Sequence, residues 1–507
     1  MNRLFLFFIL FSTVCGYAQQ PTGSYGDQGN GYYLNPVFAG EYPDPTILRD
    51  GDDYYMTHTS LNNYPGLLIW HSTDLVNWKP IAHALNKSIG EIWAPDLVKY
   101  KGKFYIYFPA MDFNSTMVVT ADRITGPWTD PVELKISFID PGHIVGNDGK
   151  RYLYFSDGNV VQLSDDGLST VGKVRSVYDG WKYPADWLTE CFCLESPKLF
   201  KRGKYFYLVS AQGGTGGPAT SHMAVAARSK SVFGPWENSP YNPIIHTYNY
   251  SDKWWSKGHA SIVDTPNGEW WMVYHAFLNN FRTLGRMTLL EPIEWTPDGW
   301  FRVKEGSDPA KPIKMMATPG KERERIPESV SGFSVFDWHA FIRYNEERYK
   351  MNSESLVIKG KGASLTESDP LQYTPGHPAY RTEVKIDTKE NAKAGFLLFY
   401  SPKFYRGLEI SSDSITYVTE KRTYPVANYS KGSPVYIKIL NDNQTLALYY
   451  SFDGKSWINF RDASDISPFT GNNLGNFRSL KIALYTYGEG SAAFTDFKYA
   501  PLPSTGN

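Results

Sequence analysis

Five times along this chain a turn built on glycine runs straight into a strand crowded with aromatic residues. The copies read "DGDDYYMTHTS" from residue 50, "YKGKFYIYFPA" from 100, "NDGKRYLYFSDG" from 147, "KRGKYFYLVSAQ" from 201 and "PNGEWWMVYHAF" from 266. A short strand precedes each one: "PDPTILR", "APDLVKY", "DPGHIVG", "ESPKLFK" and "GHASIVD". Three units add a third element ending in Trp, "HSTDLVNW", "ADRITGPW" and "ARSKSVFGPW". Hairpins with alternating aromatics and no long amphipathic pattern specify antiparallel β-structure. Repeats of this length, each of several short strands, predict a five-bladed β-propeller over about residues 36–303. In that architecture the first strand of each unit lines a central channel.

The segment 304–332, "KEGSDPAKPIKMMATPGKERERIPESVSG", is rich in Pro, Gly and charge and reads as a linker along the surface. From 333 to about 500 the pattern changes to longer alternating strands such as "AGFLLFYS" and "PVYIKILNDNQTLALYYSFDGKSWINF". These predict a jelly-roll β-sandwich, so the fold class is all-β throughout.

At 507 residues, 42% hydrophobic and 16% aromatic, the chain can bury two large cores. A formal net charge of -1 with 20% charged residues gives no electrostatic footprint for nucleic acid or an anionic membrane. Residues 1–18 read as a signal peptide: Arg3, a short apolar run and small residues before Ala18. This implies a secreted or periplasmic protein. Val14 is a poor residue before a lipidated Cys15, and no segment is apolar enough to span a bilayer. Beyond the signal peptide only Cys191 and Cys193 remain. One intervening residue puts strand neighbours near the limit of bridging, so two buried thiols are expected.

Aligned on proline, the inner strands put Asp44, Ala94 and Asp140 in one column, each directly before Pro45, Pro95 or Pro141. Asp96 falls two places later and belongs deeper. The fourth unit offers Glu195, one residue out of register, and the fifth offers His259. A lone Asp before Pro often just caps a turn. Three acids at equivalent places around one channel, under aromatic rims, point instead to glycosidic bond hydrolysis. That chemistry needs one protonated acid and one ionised carboxylate, and a third nearby anion would keep the acid's pKa high and orient it.

These motifs, "YPDPTILRDGDDYY", "IWAPDLVKYKGKFYIYF", "IDPGHIVGNDGKRYL", "ESPKLFKRGKYFYLVSAQGGT" and "KGHASIVDTPNGEWWMVYHA", together resemble glycoside hydrolase family 43. The C-terminal "ALYYSFDGKSW" resembles the sandwich attached to that family's β-xylosidases. The resemblance implies Asp44 as general base, Asp140 as the acid that tunes pKa and orientation, and Glu195 as general acid. It implies inversion at the anomeric carbon, β-xylosyl or α-L-arabinofuranosyl substrates of plant cell-wall polysaccharides, and no required cofactor. Trp93 resembles the floor of the sugar pocket, with a core Trp as the rival reading, and Tyr64 is a candidate wall or, equally, a loop anchor. Arg286 resembles an arginine that reaches the bound sugar. His259 is a candidate to bond the channel acids or to hold a hydrated structural Ca2+, with a buried structural His as the rival reading.

Two alternatives remain at this stage. "TECFCLESP" offers Glu190 beside Cys191, which resembles the acid motif of the retaining, fructan-cleaving family 32. That family also joins a five-bladed propeller to a sandwich, but its Asn-Asp-Pro-Asn-Gly motif is Pro-Asp-Pro-Thr here. The other alternative is a propeller that binds glycans without cleaving them; binding alone needs no proton donor.

Overall fold

The computed structural model describes residues 25–318, 324–430 and 432–503. The signal peptide expected at 1–18 lies outside the described residues. The described chain is all-β; its one α-helix is the single turn Gly471–Leu474. Among the described residues no helix is long and apolar enough to cross a membrane.

Five antiparallel sheets follow one another in sequence. Their first strands are Thr46–Asp50, Asp96–Tyr100, Gly142–Val145, Glu195–Arg202 and Trp254–Asp264. Each pairs with its aromatic strand and then with two further strands; Ile245–His246 adds to the fourth sheet. Tight hairpins make this possible: Gly102, for example, takes φ +82°, a conformation disfavoured for residues with a Cβ. The five first strands touch in cyclic order, and the fifth returns to the first.

Lys198 fastens this ring at its centre. Its buried ammonium donates to Asp96 Oδ1 at 2.9 Å and to the carbonyls of Pro95 and Pro141 at 2.8 and 3.0 Å. Asp96 also accepts the His143 amide at 2.8 Å, so one ion pair joins the second, third and fourth sheets. Part of the expected surface linker is sheet: Ile313–Lys314 pairs with Tyr32–Leu34. Val330–Ser331 joins the long terminal strand Gly490–Pro501.

The C-terminal domain has two eight-stranded sheets enclosing one core. Strand Val435–Asp442 shows why: Val435, Ile437 and Ile439 face in and are fully buried while Tyr436 and Lys438 face out. Each such aliphatic contributes roughly 1.5–3 kcal/mol by leaving water. Asn63–Tyr64, from the first sheet's region, is the edge strand of one of these two sheets, paired with Trp338–Phe341. The two domains are therefore stitched by backbone hydrogen bonds close to the ends of the inner strands.

Candidate active site

Asp44 and Asp140 precede their inner strands, Ser196 and His259 sit at register shifts within theirs, and all four take positive φ, at 57°, 59°, 55° and 54°. A left-handed backbone at a non-glycine residue costs about 1–3 kcal/mol and clusters at functional sites. Four sheets thus share one backbone bend. The register predicted from proline places Ser196 in the column and Glu195 one residue before it, as the structure has it.

The bend brings the side chains into one cavity of about 110 Å3, lined by residues that include Asp44, Trp93, Ala94, Asp140, Glu195, His259 and Arg286. It is far smaller than the roughly 300–1,000 Å3 pockets of drug-sized ligands. Ala94, in the column position of the second sheet, leaves the open space. Trp93 is fixed by its indole N–H to Glu91 Oε1 at 2.9 Å.

Asp44 is buried and crowded with cationic and donor groups. Its Oδ1 lies 3.1 Å from Arg286 Nη1, 3.0 Å from His275 Nδ1 and 3.3 Å from His259 Nδ1. Thr59 Oγ1 donates to its Oδ2 at 2.5 Å. Burial pushes this carboxyl up, but Arg286 and then the two histidines outweigh it and hold Asp44 well below the usual carboxylate range. Asp140 goes the other way: burial and the charge of Asp44 push it up to about 7, against Lys198 and the Ser196 amide. Glu195 is raised well above its ordinary value, first by burial and then by Asp140 and Asp44. One carboxylate is held ionised and another held protonated in the same cavity. That is the division needed for a base and an acid.

The structure corrects two expectations. Tyr64 does not reach the cavity: it is fully buried in an aliphatic cluster, its hydroxyl donates to the Gly90 carbonyl, and it accepts the Ile89 amide at 3.1 Å. Its edge strand faces the second domain, so it anchors that junction. Cys191 and Cys193 are not two buried thiols but a disulfide, with Cys191 exposed. The segment is irregular and Cys193 takes φ +41°, which brings the two Cα atoms to 5.2 Å, inside the bridging range.

Glu190 lies beside the acids and not in their column. It is exposed, accepts the Gly216 amide at 2.8 Å, and lines both the acid cavity and a neighbouring cleft. Three contributors escaped the sequence reading. His275 sits on a second strand, and its Nε2 lies 3.0 Å from Thr215 Oγ1, so a scan of inner strands misses it. Thr59 and Phe477 are the others. Phe477, from the sandwich, meets Trp93 edge-on at 5.8 Å and lies beneath the Arg286 guanidinium at 5.3 Å.

Donor atoms of Asp44, His259 and His275 lie within 4.8 Å of one another, as do those of Asp140, Glu195 and His259. Calcium favours six to eight oxygen ligands. Two imidazoles around one carboxylate make the first group a poor calcium site, whereas Asp140 and Glu195 give the second group two carboxylates.

Residues 33–301 match the family model for glycosyl hydrolases family 43, and 341–501 match the β-xylosidase C-terminal Concanavalin A-like domain. A non-reducing end α-L-arabinofuranosidase of Bacteroides ovatus is 36% identical over 72% of this chain and 71% of its own length. A xylosidase/arabinosidase of Humicola insolens is 32% identical over 92% of this chain and 96% of its own. The crystal structure of a family 43 protein from Bacillus licheniformis superposes with a TM-score of 0.81 at 27% identity, covering 93% of this chain and all of that one. The family match spans more than half of the chain and these relatives align along most of it, and the chain belongs to family 43 of the glycosyl hydrolases.

Proposed function

We propose that this glycoside hydrolase is an exported, inverting, exo-acting pentosidase. It removes terminal β-D-xylosyl or α-L-arabinofuranosyl residues from plant cell-wall polysaccharides or their oligosaccharides. The observation that carries the reading is the opposed electrostatics of Asp44 and Glu195 in a cavity of about 110 Å3. The five sheets act as propeller blades around that cavity, and the C-terminal sandwich is of jelly-roll type. The names borne by relatives, xylosidase and arabinofuranosidase, support the substrate class.

The terminal sugar sits over Ala94 between Trp93, Phe477 and Arg286. Glu195 donates its proton to the glycosidic oxygen as the bond to C1 breaks. A water on the opposite face attacks C1 while Asp44 takes its proton, so the product has inverted configuration. Asp140 keeps Glu195 protonated until that moment. Solvent then returns a proton to Glu195 and removes one from Asp44. Inversion by this route requires a base-to-acid separation of roughly 6.5–9.5 Å.

The leaving sugar occupies the adjoining cleft of about 290 Å3, lined by Glu190, Phe277, Arg282 and Phe477 among others. The charge of Glu190 is felt by Glu195, so this cleft lies on the acid's side. Assays on xylo-oligosaccharides and arabinoxylo-oligosaccharides test the reading. Release of single pentoses from chain ends supports it; internal cleavage, or no pentose release, sinks it.

A further inference from the structure

The turn that delivers Arg286 is gripped by the second domain. Arg282–Leu284 form one 3-10 turn just before strand Arg286–Trp295. The Leu480 amide donates to the Thr283 carbonyl at 2.9 Å. Thr283 Oγ1 donates to Gln444 Oε1 at 3.0 Å, and Gln444 Nε2 donates to the Asn280 carbonyl at 3.0 Å. Arg282 Nη1 donates to Asn472 Oδ1 at 2.8 Å. Leu480, Gln444 and Asn472 all belong to the sandwich.

Behind Arg286 lies a second acid, Glu41. Its Oε1 accepts the Arg286 amide at 3.4 Å and lies 3.5 Å from Arg286 Nε. Its Oε2 is buried with no hydrogen-bond partner. The niche is shaped for this carboxylate. A Cβ at Gly285, which takes φ +79°, would lie 2.2 Å from Glu41 Oε2 and 2.8 Å from Ser479 Cβ. At Gly40 a Cβ would lie 2.6 Å from Thr374 Cγ2. Thr374 in turn accepts from Lys481 Nζ at 3.0 Å, and Lys481 is 4% exposed.

A carboxylate withdrawn from water survives ionised only beside compensating charge. Of the cations around Glu41, Arg286 of its own domain lies against it, and Lys481 of the sandwich stands beyond Thr374, which packs on the neighbouring Gly40. Burial pushes Glu41 up, against Arg286 and Lys481. Burial pulls Lys481 down to about 8, against Glu41. The groups alternate in sign from the sandwich to the cavity: Lys481, Glu41, Arg286, Asp44.

We propose that Glu41 and Lys481 are positioning residues: the sandwich ammonium sustains the buried Glu41 carboxylate, which holds Arg286 with its Nη1 on Asp44. The sandwich thereby acts on the general base through two intervening side chains. The kinetic readout rests on the glycosidase reading above; the structural readout does not.

The test uses the full chain as Glu41→Gln, Lys481→Met and the double variant. Kinetics are measured on whichever of 4-nitrophenyl β-D-xylopyranoside and α-L-arabinofuranoside the parent hydrolyses, and crystal structures of the variants are determined. Each single change is expected to lower kcat on the order of tenfold, as for other residues that orient a reacting group from behind. The double variant should be no worse than Glu41→Gln alone, since both changes cut one chain. Arg286 Nη1 should leave Asp44 by more than about 4 Å, the reach of an ion pair. Lys481→Met keeps the volume of the stem and carries the test if Glu41→Gln does not fold. Losses that multiply in the double variant, or an Arg286 still on Asp44, overturn the proposal. A parent that hydrolyses neither glycoside removes the pentosidase reading, and the Arg286–Asp44 separation then decides alone.

Discussion

Asp140 Oδ2 accepts the backbone N–H of Ser196 at 3.0 Å, so the acid of the third sheet is tied to the residue that follows Glu195. This bond fixes the spacing between Glu195 and the charge that raises it most after burial. Asp140→Asn keeps an acceptor oxygen but removes the anion. That anion is the largest of the charges that raise Glu195 beyond the effect of burial, ahead of Asp44. Without it the Glu195 pKa falls, less of the acid is protonated at a given pH, and the alkaline limb of the kcat profile moves toward acid. At neutral pH kcat should drop roughly 10-fold or more. A pH–rate profile checks both the shift and its sign.

Glu195→Gln removes the proton donor of the proposed mechanism while keeping the shape of the side chain. The loss should be about 10²–10⁴-fold on oligosaccharides, whose leaving oxygen needs protonation, and smaller on an aryl glycoside with an acidic leaving group. Comparing the two substrate classes on one variant measures this. Equal losses on both would assign Glu195 some other role.

Phe477 reaches the cavity from the sandwich and touches both Trp93 and Arg286. Phe477→Ala should open the cavity toward the cleft and raise KM for the terminal sugar roughly 10-fold, the scale of one aromatic contact of about 1.5 kcal/mol. Activity on branched or internal linkages should rise relative to chain ends. Product analysis by chromatography shows whether it does.

Lys198 and Asp96 are each only 8% exposed at the side chain. Lys198→Met leaves Asp96 buried without its cation, a change that costs about 3–5 kcal/mol. In a domain this size Tm should fall on the order of 10 °C. Calorimetry reads it. Lys198→Met with Asp96→Asn should recover part of the loss, since no charge is left stranded.

The sheets and the candidate acids were legible because four of the five inner strands announce themselves locally, through a proline column upstream of a glycine turn. Asp44, Asp140 and Glu195 could be picked out without knowing how the sheets meet. Their opposed electrostatics could not, since Arg286 and His275 reach Asp44 from strands more than two hundred residues away. Tyr64 misled because a tyrosine in an Asn-Asn-Tyr-Pro loop looks the same whether it faces a sugar or a second domain. The cysteines misled for a backbone reason. An extended strand sets residues two apart at roughly 6.6 Å, whereas here the chain bends and the Cα atoms sit at 5.2 Å. Phe477 and Lys481 carry no local signal; only closure of the two domains puts them beside the acids.

The division of labour between Asp44 and Glu195 is tested most directly by proton NMR of the sugar at the moment of release. The parent and Glu195→Gln are each mixed with an alkyl β-D-xyloside and an alkyl α-L-arabinofuranoside, whose leaving oxygens need protonation, and the first anomer formed is recorded before mutarotation. The account predicts that the parent releases the α-anomer from the β-xyloside or the β-anomer from the α-arabinofuranoside, and that release slows sharply in the variant. A first product of retained configuration, or release that survives Glu195→Gln and is lost in Glu190→Gln, would contradict it.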